Sequence, residues 1–274
     1  MAQIVCWEES KINLQILKAL KAKKGRDELK LFIVEGEKPV MEIPADWKIS
    51  AYVVSEAYAK EKEKVQELIR APLMVLKEGR FASISDMVTP QGILAVVEKR
   101  EYKLDHLLEK NPFILIGEQL ADPGNIGTLI RTAAAAGASG VILSYGSGEL
   151  HNPKTIRASS GACLRLPIIE GVHLHEIIPL LKSKGVTILA THLHRGKFPY
   201  ELDLGSPDIT KKGLALLIGN EARGITDGTE ALADQNIKLP MAPGVDSLNA
   251  SVAGGIFLYE ILRQRHTLNT ELFK

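Results

Sequence analysis

The sequence predicts an α/β protein: a C-terminal domain built on a parallel sheet, preceded by a small α/β domain. Three observations carry this expectation. From about residue 112 onward, apolar runs of strand length recur between helical segments. The runs are continuous rather than alternating, the pattern of strands covered on both faces. A strongly polar segment from about 99 to 111 reads as a link between two parts, and places the domains at 1–105 and 106–274.

In the first part, Ile12, Ile16 and Leu20 recur at four-residue spacing among Lys11, Lys18, Lys21, Lys23, Lys24 and Arg26, which predicts one amphipathic helix with a basic exposed face. LKLFIVEG (29–36) is an apolar run stopped by glycine, hence a strand. ISAYVVS (49–55) is a second strand, followed by a charged helix over about 56–70 and a strand at APLMVLK (71–77). FASISDMVTPQGILAVVEK (81–99) then gives a helical piece, a Thr-Pro-Gln-Gly turn and a strand.

In the second part the strands are PFILIGEQL (112–120), GVILS (140–144), VTILATHL (186–193), LALLIGN (214–220) and the short NIKLP (236–240). Helical segments fall near 126–137, 153–161, 173–184 and 227–234, with a last one from about 249 to 266. In such sheets ligands collect beyond the carboxyl ends of the strands, so the loops there are where chemistry is sought.

Bulk properties exclude several classes. A formal charge of +1 gives no global field for nucleic acid, so any such binding must come from local patches. Cys6 and Cys163 are too few for a disulfide framework and lack zinc spacing, which favours a reducing, cytoplasmic compartment. No stretch approaches the roughly 20 apolar residues that span a bilayer, so no membrane role is expected. MAQIVCWEESK at the start lacks the basic region and apolar run of a secretory signal. His192-x-His194 has metal-like character, yet no third ligand has matching spacing, and no metal is expected. Cys163, between Ala162 and Leu164, is expected in the core.

Three loops carry unusual residues. The first is QLADPGNIGTLIRTAAAAGASG (119–140), where Asn125 is placed to cap a helix and Gly124 and Gly127 to let the backbone bend and a partner approach. Arg131, four residues after Gly127, shares its side of the helix and could reach a phosphate or carboxylate, or simply be solvated. The spacing is neither G-x-G-x-x-G nor a phosphate loop ending in Gly-Lys-Ser/Thr. The second loop, IGNEARGI (218–225), puts Asn220, Glu221 and Arg223 directly after a buried strand, although polar loop tips are common. In the third, LPMAPGVDSLNASVAGGIFLYEILRQR (239–265), Asn249 reads as a helix cap and Ser247 as a turn former, ahead of small residues that permit close helix packing.

Taken together and in order, these motifs are specific. N-x-G-x-x-x-R, then G-N-E-x-x-G-I, then L-P-M…S-L-N-x-S-V-A resemble the SpoU (TrmH) family of RNA ribose 2′-O-methyltransferases in the SPOUT superfamily. The resemblance covers 112–266 and includes NPKTIRASSGA (152–162). The first part, through KINLQILKALKAKKGRDELKLFIVEGEKPV (11–40) and TPQGILAVVE (89–98), is similar to the family's small RNA-recruiting domain of the ribosomal L30/L7Ae type. The resemblance implies a deep trefoil knot formed by the chain from about 214 onward, which general rules against threaded connections would not suggest. It also implies a homodimer, and S-adenosylmethionine held largely by backbone groups at Thr191, Gly219, Leu239 and Leu248. Arg131 matches the family's arginine that meets the substrate phosphate, with Asn125, Glu221, Ser247 and Asn249 as the other polar positions of the catalytic site. Arg157 and the basic residues Lys23, Lys24 and Arg26 are expected to contact RNA. Ribosomal RNA, most of all 23S RNA, is the expected substrate ahead of transfer RNA. A non-catalytic RNA-binding relative and a nicotinamide-dependent Rossmann enzyme are the competing readings. The Rossmann reading lacks its glycine fingerprint, and a non-catalytic copy would have no need of the five matching polar residues.

Overall fold

The structure, a computed structural model, describes residues 12–61, 68, 70–108 and 111–266. Cys6, Lys11 and part of the charged helix expected over 56–70 lie outside the described residues. The chain separates into two compact units, Met1–Arg100 with His151–Arg157, and Glu101–Leu150 with Ala158–Lys274.

In the smaller unit the single basic helix expected from the spacing is two short ones, α1 (Leu14–Ala19) and α2 (Lys23–Leu29). Asn13 caps α1 by accepting the Ile16 N–H. The chain breaks after Leu20, and Arg26, 3% exposed, donates to the carbonyl oxygens of Leu20 (2.7 Å) and Lys21 (2.8 Å). Those carbonyls have lost their helical partners at the break. Arg26 is therefore a buried fastener, and its expected place on a solvent-facing RNA surface is corrected. The rest of the basic face is largely paired: Lys21 with Asp86, Lys23 with Asp27 and Lys24 with Glu28.

Strands β1 (Leu31–Glu35), β2 (Ile49–Ser55), β3 (Leu73–Leu76) and β4 (Ile93–Glu98) form one sheet in the order β1-β4-β2-β3, with only β2 and β3 parallel. Short helices α3 (Glu37–Met41), α4 (Glu56–Ala59) and α5 (Glu78–Ile84) connect them. Because strand side chains alternate, Ile33, Ala51, Val53, Leu94 and Val96 share one face. Leu17 and Leu20 join Phe81 and Ile84 over it in one core.

The larger unit holds six strands: β5 (Phe113–Gly117), β6 (Gly140–Ser144), β7 (Ile168–Val172), β8 (Thr187–Thr191), β9 (Leu214–Ile218) and β10 (Gln235–Ile237). They pair in the order β10-β8-β9-β5-β6-β7, parallel throughout. β7 has no counterpart among the expected strands. It is an edge strand with exposed Glu170 and Gly171, so it lacks the apolar run that marks its neighbours. Between these strands the chain forms α7 (Pro153–Ser159), most of which belongs to the smaller unit, and the larger unit's own helices are α6 (Pro123–Ala135), α8 (Leu174–Ser183), α9 (Pro207–Lys212), α10 (Asp227–Glu230) and α11 (Ala250–His266).

One sheet face, with Ile114, Ile116, Ile142, Ala215 and Leu217, packs beneath Leu174, Ile178 and Leu181 of α8. On the other face α11 lies over α6 and β9. A Cβ at Gly254 would come within 2.4 Å of Leu129 Cδ2 and 2.5 Å of Ile218 Cδ1, so only glycine admits that approach unstrained. The polar segment expected as a link also feeds this core. Leu104, Leu107 and Leu108 pack into it, and Leu107 is fully buried; their i, i+3, i+4 spacing is a helical apolar face inside a charged sequence. No helix among the described residues is long and apolar enough to cross a membrane.

Candidate functional site

All six strands run the same way, so their carboxyl ends open on one rim. The central pair there is β9 and β5, from which the chain leads to Asn220–Glu221 and to α6. The loop after β5 turns on Gln119, which has φ +49, while Gly124 and Gly127 lie inside α6 and neither has a positive φ. Their expected role in bending the loop is corrected, and Gly127 is buried rather than open to a partner.

Asn125 is not the cap either. Asp122 caps α6 by accepting the Asn125 N–H at 2.9 Å, with Pro123 at the first helical position. Glu221 reaches the same helix start and accepts from the N–H groups of Ala121 (3.1 Å) and Asp122 (3.3 Å). Two carboxylates thus occupy the positive end of the α6 dipole, leaving no vacant anion cradle of the kind a phosphate loop presents.

Freed from capping, the Asn125 side chain links the other two loops. Its Nδ2 donates to Glu221 Oε1 at 3.0 Å, and its Oδ1 accepts from Asn249 Nδ2 at 3.0 Å. Asn249 is the expected helix cap: its Oδ1 accepts from Ser251 N–H (2.9 Å), Val252 N–H (3.3 Å) and Ser251 Oγ (2.7 Å). Three loops, two of them 96 and 124 residues from Asn125 in the chain, are therefore joined by one relay, Asn249–Asn125–Glu221. Burial alone would raise the Glu221 pKa. Hydrogen bonds from Asn125 and from the Glu221, Ala121 and Asp122 backbone outweigh it and hold the carboxyl below its ordinary value.

Arg131 lies two turns further along α6, exposed, and among the described residues its guanidinium forms no hydrogen bond or ion pair. Ser247 is likewise exposed and stands outside the relay. A guanidinium with no internal partner, beside polar loops held rigid by their own bonds, is suited to grip a phosphate that comes from outside.

Three of the expected cofactor residues, Thr191, Gly219 and Leu239, lie at or just beyond the ends of neighbouring strands, and Leu248 lies in the loop before α11. Thr191 closes β8, pairs with Ile237 of β10, and donates its hydroxyl to the Leu217 carbonyl of β9 at 3.0 Å. Gly219 directly follows β9, and a Cβ there would sit 2.2 Å from the Gly224 carbonyl carbon. The loop folds back through paired Asn220–Gly224 backbone bonds of 3.0 and 2.9 Å. Leu239 lies two residues beyond β10, half-buried, and Leu248 is 38% exposed. Among the described residues the backbone groups of Leu239 and Leu248 make no hydrogen bond. Unpaired amides and carbonyls beside an apolar strand end fit a ligand held by main-chain contacts, as an adenosyl group would be.

A cavity of about 860 Å³ is lined by Arg195, Asp227, Glu230 and Asp234 among others. Two of its acids are already engaged, Glu230 by Arg195 and Asp234 by Lys182. The nearby His192 accepts from the His194 and Arg195 N–H groups, both at 2.9 Å.

Glu118 escaped the sequence reading. It is 5% exposed and accepts from Thr226 N–H (2.9 Å), Thr226 Oγ1 (2.8 Å) and Thr229 Oγ1 (2.7 Å), pinning the segment that follows the Glu221 loop. The available signal was a carboxylate ending the buried run FILIG. Arg157 is exposed in the last turn of α7, and Cys163 is 5% exposed, with burial pushing its thiol up to about 11.

Residues 112–259 match the SpoU rRNA Methylase family, and residues 12–95 match the MRM3-like substrate binding domain. The chain is 31% identical to the 23S rRNA (guanosine(2553)-2'-O)-methyltransferase RlmP of Bacillus subtilis, covering 89% of this chain and 93% of that one. It superposes on the SpoU methyltransferase AviRb of Streptomyces viridochromogenes, solved in complex with AdoMet, with TM-score 0.83 and 25% identity over 92% and 97% of the two chains. An AdoMet-bound rRNA methyltransferase from Sinorhizobium meliloti gives TM-score 0.81 and 30% identity over 91% and 94%. With more than half of the 274 residues matched and relatives aligned over nearly their full length, the chain belongs to the SpoU rRNA methylase family.

Proposed function

We infer that this chain transfers a methyl group from S-adenosylmethionine to a ribose 2′-hydroxyl of structured RNA, with 23S ribosomal RNA favoured over transfer RNA. The observation that carries the reading is Arg131: an exposed guanidinium without a partner among the described residues, on the helix whose Asn125 joins Glu221 and Asn249. The relatives named as 23S rRNA 2′-O-methyltransferases supply the substrate class.

The cofactor, when bound, supplies an already activated methyl, so the chain's own residues have to align and deprotonate the nucleophile. Arg131 grips the phosphate beside the target ribose and places positive charge next to the developing alkoxide. A guanidinium stays protonated, so the 2′-proton leaves to the phosphate or to water rather than to Arg131. Asn125, held by Glu221 and Asn249, fixes the loop that faces the ribose, and Ser247 orients the cofactor loop. Thr191, Gly219, Leu239 and Leu248 would hold the cofactor through their backbone groups.

The finer architecture is part of the same proposal. The stretch 192–213 between β8 and β9 is held on one side by Lys197 N–H to Asn236 O and Lys238 N–H to Lys197 O, both 3.0 Å. On its other side Gln264 of α11 donates to Pro199 O (2.9 Å) and accepts from Leu204 N–H (2.8 Å). These ties between the crossover and later segments support the trefoil knot, in which the chain from about 214 onward threads through an earlier loop. Val252, Ile256 and Tyr259 form an exposed apolar stripe at i, i+4, i+7 on α11, which supports a homodimer. The mixed sheet of the smaller unit, with α1 and α5 packed over one of its two buried faces, supports an L30/L7Ae-like RNA-recruiting domain in 1–105, joined to a methyltransferase domain in 106–274. Arg157, Lys23 and Lys24 remain its candidate phosphate contacts. A ribosomal substrate favours work in the cytoplasm.

The test is Arg131→Ala, with labelled S-adenosylmethionine offered together with ribosomal or transfer RNA. Methylation should vanish while cofactor affinity, measured by calorimetry, stays within about twofold. Full transfer by the variant would sink the assignment, and transfer to transfer RNA alone would overturn the preferred substrate.

A further inference from the structure

Tyr145, His173 and His175 form an exposed ladder of rings at the carboxyl ends of β6 and β7. The Tyr145 and His173 centroids are 5.4 Å apart with planes inclined by 31°, and His173 and His175 are 5.4 Å apart at 39°. Tyr145 is 68% exposed and both histidines are exposed, so the rings stabilise no core. Leaving a large aromatic in water has no folding benefit, which makes the arrangement a question of binding.

Its placement is built into the sheet. The register of β7 against β6 shifts between Leu143 and Ser144, and Gly171, at φ +74, takes up the extra residue. A bulge of this kind re-aims the side chains that follow it. Here it brings Val172 beside Tyr145, whose N–H donates to the Val172 carbonyl at 2.7 Å. Ser144, 6% exposed, ties the ladder to the catalytic rim. Its hydroxyl accepts the Gln119 N–H at 2.8 Å and donates to the Tyr145 carbonyl at 3.0 Å. Gln119 in turn accepts at its carbonyl from Asn220 Nδ2 at 2.7 Å and at its side chain from Arg223 at 3.0 Å. The rings thus stand about two strand spacings, roughly 10 Å, from the β5–β9 rim. They share the edge on which Asn125, Glu221 and Arg131 act.

We propose that Tyr145, with His173 and His175 behind it, is a stacking platform for an unpaired base of the RNA substrate that neighbours the methylated nucleotide. Open aromatic faces recognise splayed bases in single-stranded loops and bulges, the elements of RNA that proteins read in detail. Stacking tolerates any base, so the platform selects an unstacked conformation rather than a sequence. It rests on the methyltransferase reading above and deepens it: the target lies in a loop or bulge, not within a continuous helix.

The experiment uses the full chain, labelled S-adenosylmethionine and an unmodified transcript of large-subunit ribosomal RNA. Tyr145→Ala should raise KM for the transcript about tenfold, the effect of losing one stacked base, while KM for S-adenosylmethionine and the thermal midpoint stay unchanged. Tyr145→Phe, which keeps the ring, should remain within about twofold of the parent, and His173→Ala should fall between. The platform is overturned if Tyr145→Ala binds the transcript as the parent does, or if Tyr145→Phe fails equally, since the hydroxyl and not the ring would then matter. A parent protein that neither binds nor methylates the transcript or transfer RNA overturns the methyltransferase reading, and the platform with it.

Discussion

Removing the centre of the relay, by Asn125→Ala, should loosen three loops at once. The side chain makes two hydrogen bonds at a solvent-accessible rim, to Glu221 and from Asn249, both 3.0 Å. At about 0.5–1 kcal/mol each, the low end for such sites, the loss is about 1–2 kcal/mol. Asn249→Ala forfeits the same Asn125 bond and also the α11 cap, which is worth about 1 kcal/mol, for a total near 1.5–2 kcal/mol. Because one bond is counted in both single variants, the double variant should cost less than their sum by about 0.5–1 kcal/mol. Urea unfolding followed by circular dichroism gives the four free energies. Additivity within about 0.3 kcal/mol would mean that the two asparagines do not interact, and the relay would be withdrawn. A second readout is independent of stability. The Asn125 amide is one of the groups that hold the Glu221 carboxyl below its ordinary value, so its pKa, followed by carbon NMR, should rise in Asn125→Ala. A folded pKa below the unfolded one adds stability that is complete above about pH 4.5 and is lost as pH falls through the folded value. The acid side of the stability profile should therefore be shallower in the variant.

Arg26→Ala strands the Leu20 and Lys21 carbonyls and should destabilise the smaller unit by about 2–4 kcal/mol in urea; a selective loss of RNA affinity in a fully stable variant would restore the surface role. Gly254→Val should cost about 2–3 kcal/mol by forcing Leu129 and Ile218 aside, whereas Gly254→Ala should cost less, because alanine gains about 1 kcal/mol in helix propensity; equal thermal midpoints for all three proteins would refute the packing argument. Cys163, with its thiol near 11, carries roughly one thiolate per thousand molecules at pH 8 and should resist iodoacetamide in the folded protein. Rapid alkylation, read by mass spectrometry of its peptide, would contradict its burial.

The strands β5, β6, β8 and β9 were legible because each holds an unbroken run of three to five apolar residues, and burial on both faces demands such a run. Asn249 as a cap was legible because capping is local, set by a side chain and the two or three N–H groups after it. The motif residues Asn125, Glu221 and Asn249 were marked by their order along the chain. What sequence could not supply is their partnership, since residues a hundred positions apart meet only once β5 and β9 lie side by side. The same holds for the cap of α6: Asp122 and Asn125 are both competent, and Asp122 holds the post while Asn125 turns to Glu221 and Asn249. Lys24 and Arg26 looked equivalent in a basic stretch, yet the break after Leu20 left two carbonyls that only Arg26 reaches. β7 stayed hidden because an edge strand need not be apolar. The Tyr145 ladder depends on a bulge, and no pattern in the chain announces one. Local composition thus determined which segments become strands and which residues carry chemistry. Long-range pairing decided which polar groups satisfy one another and which, like Arg131, are left facing outward.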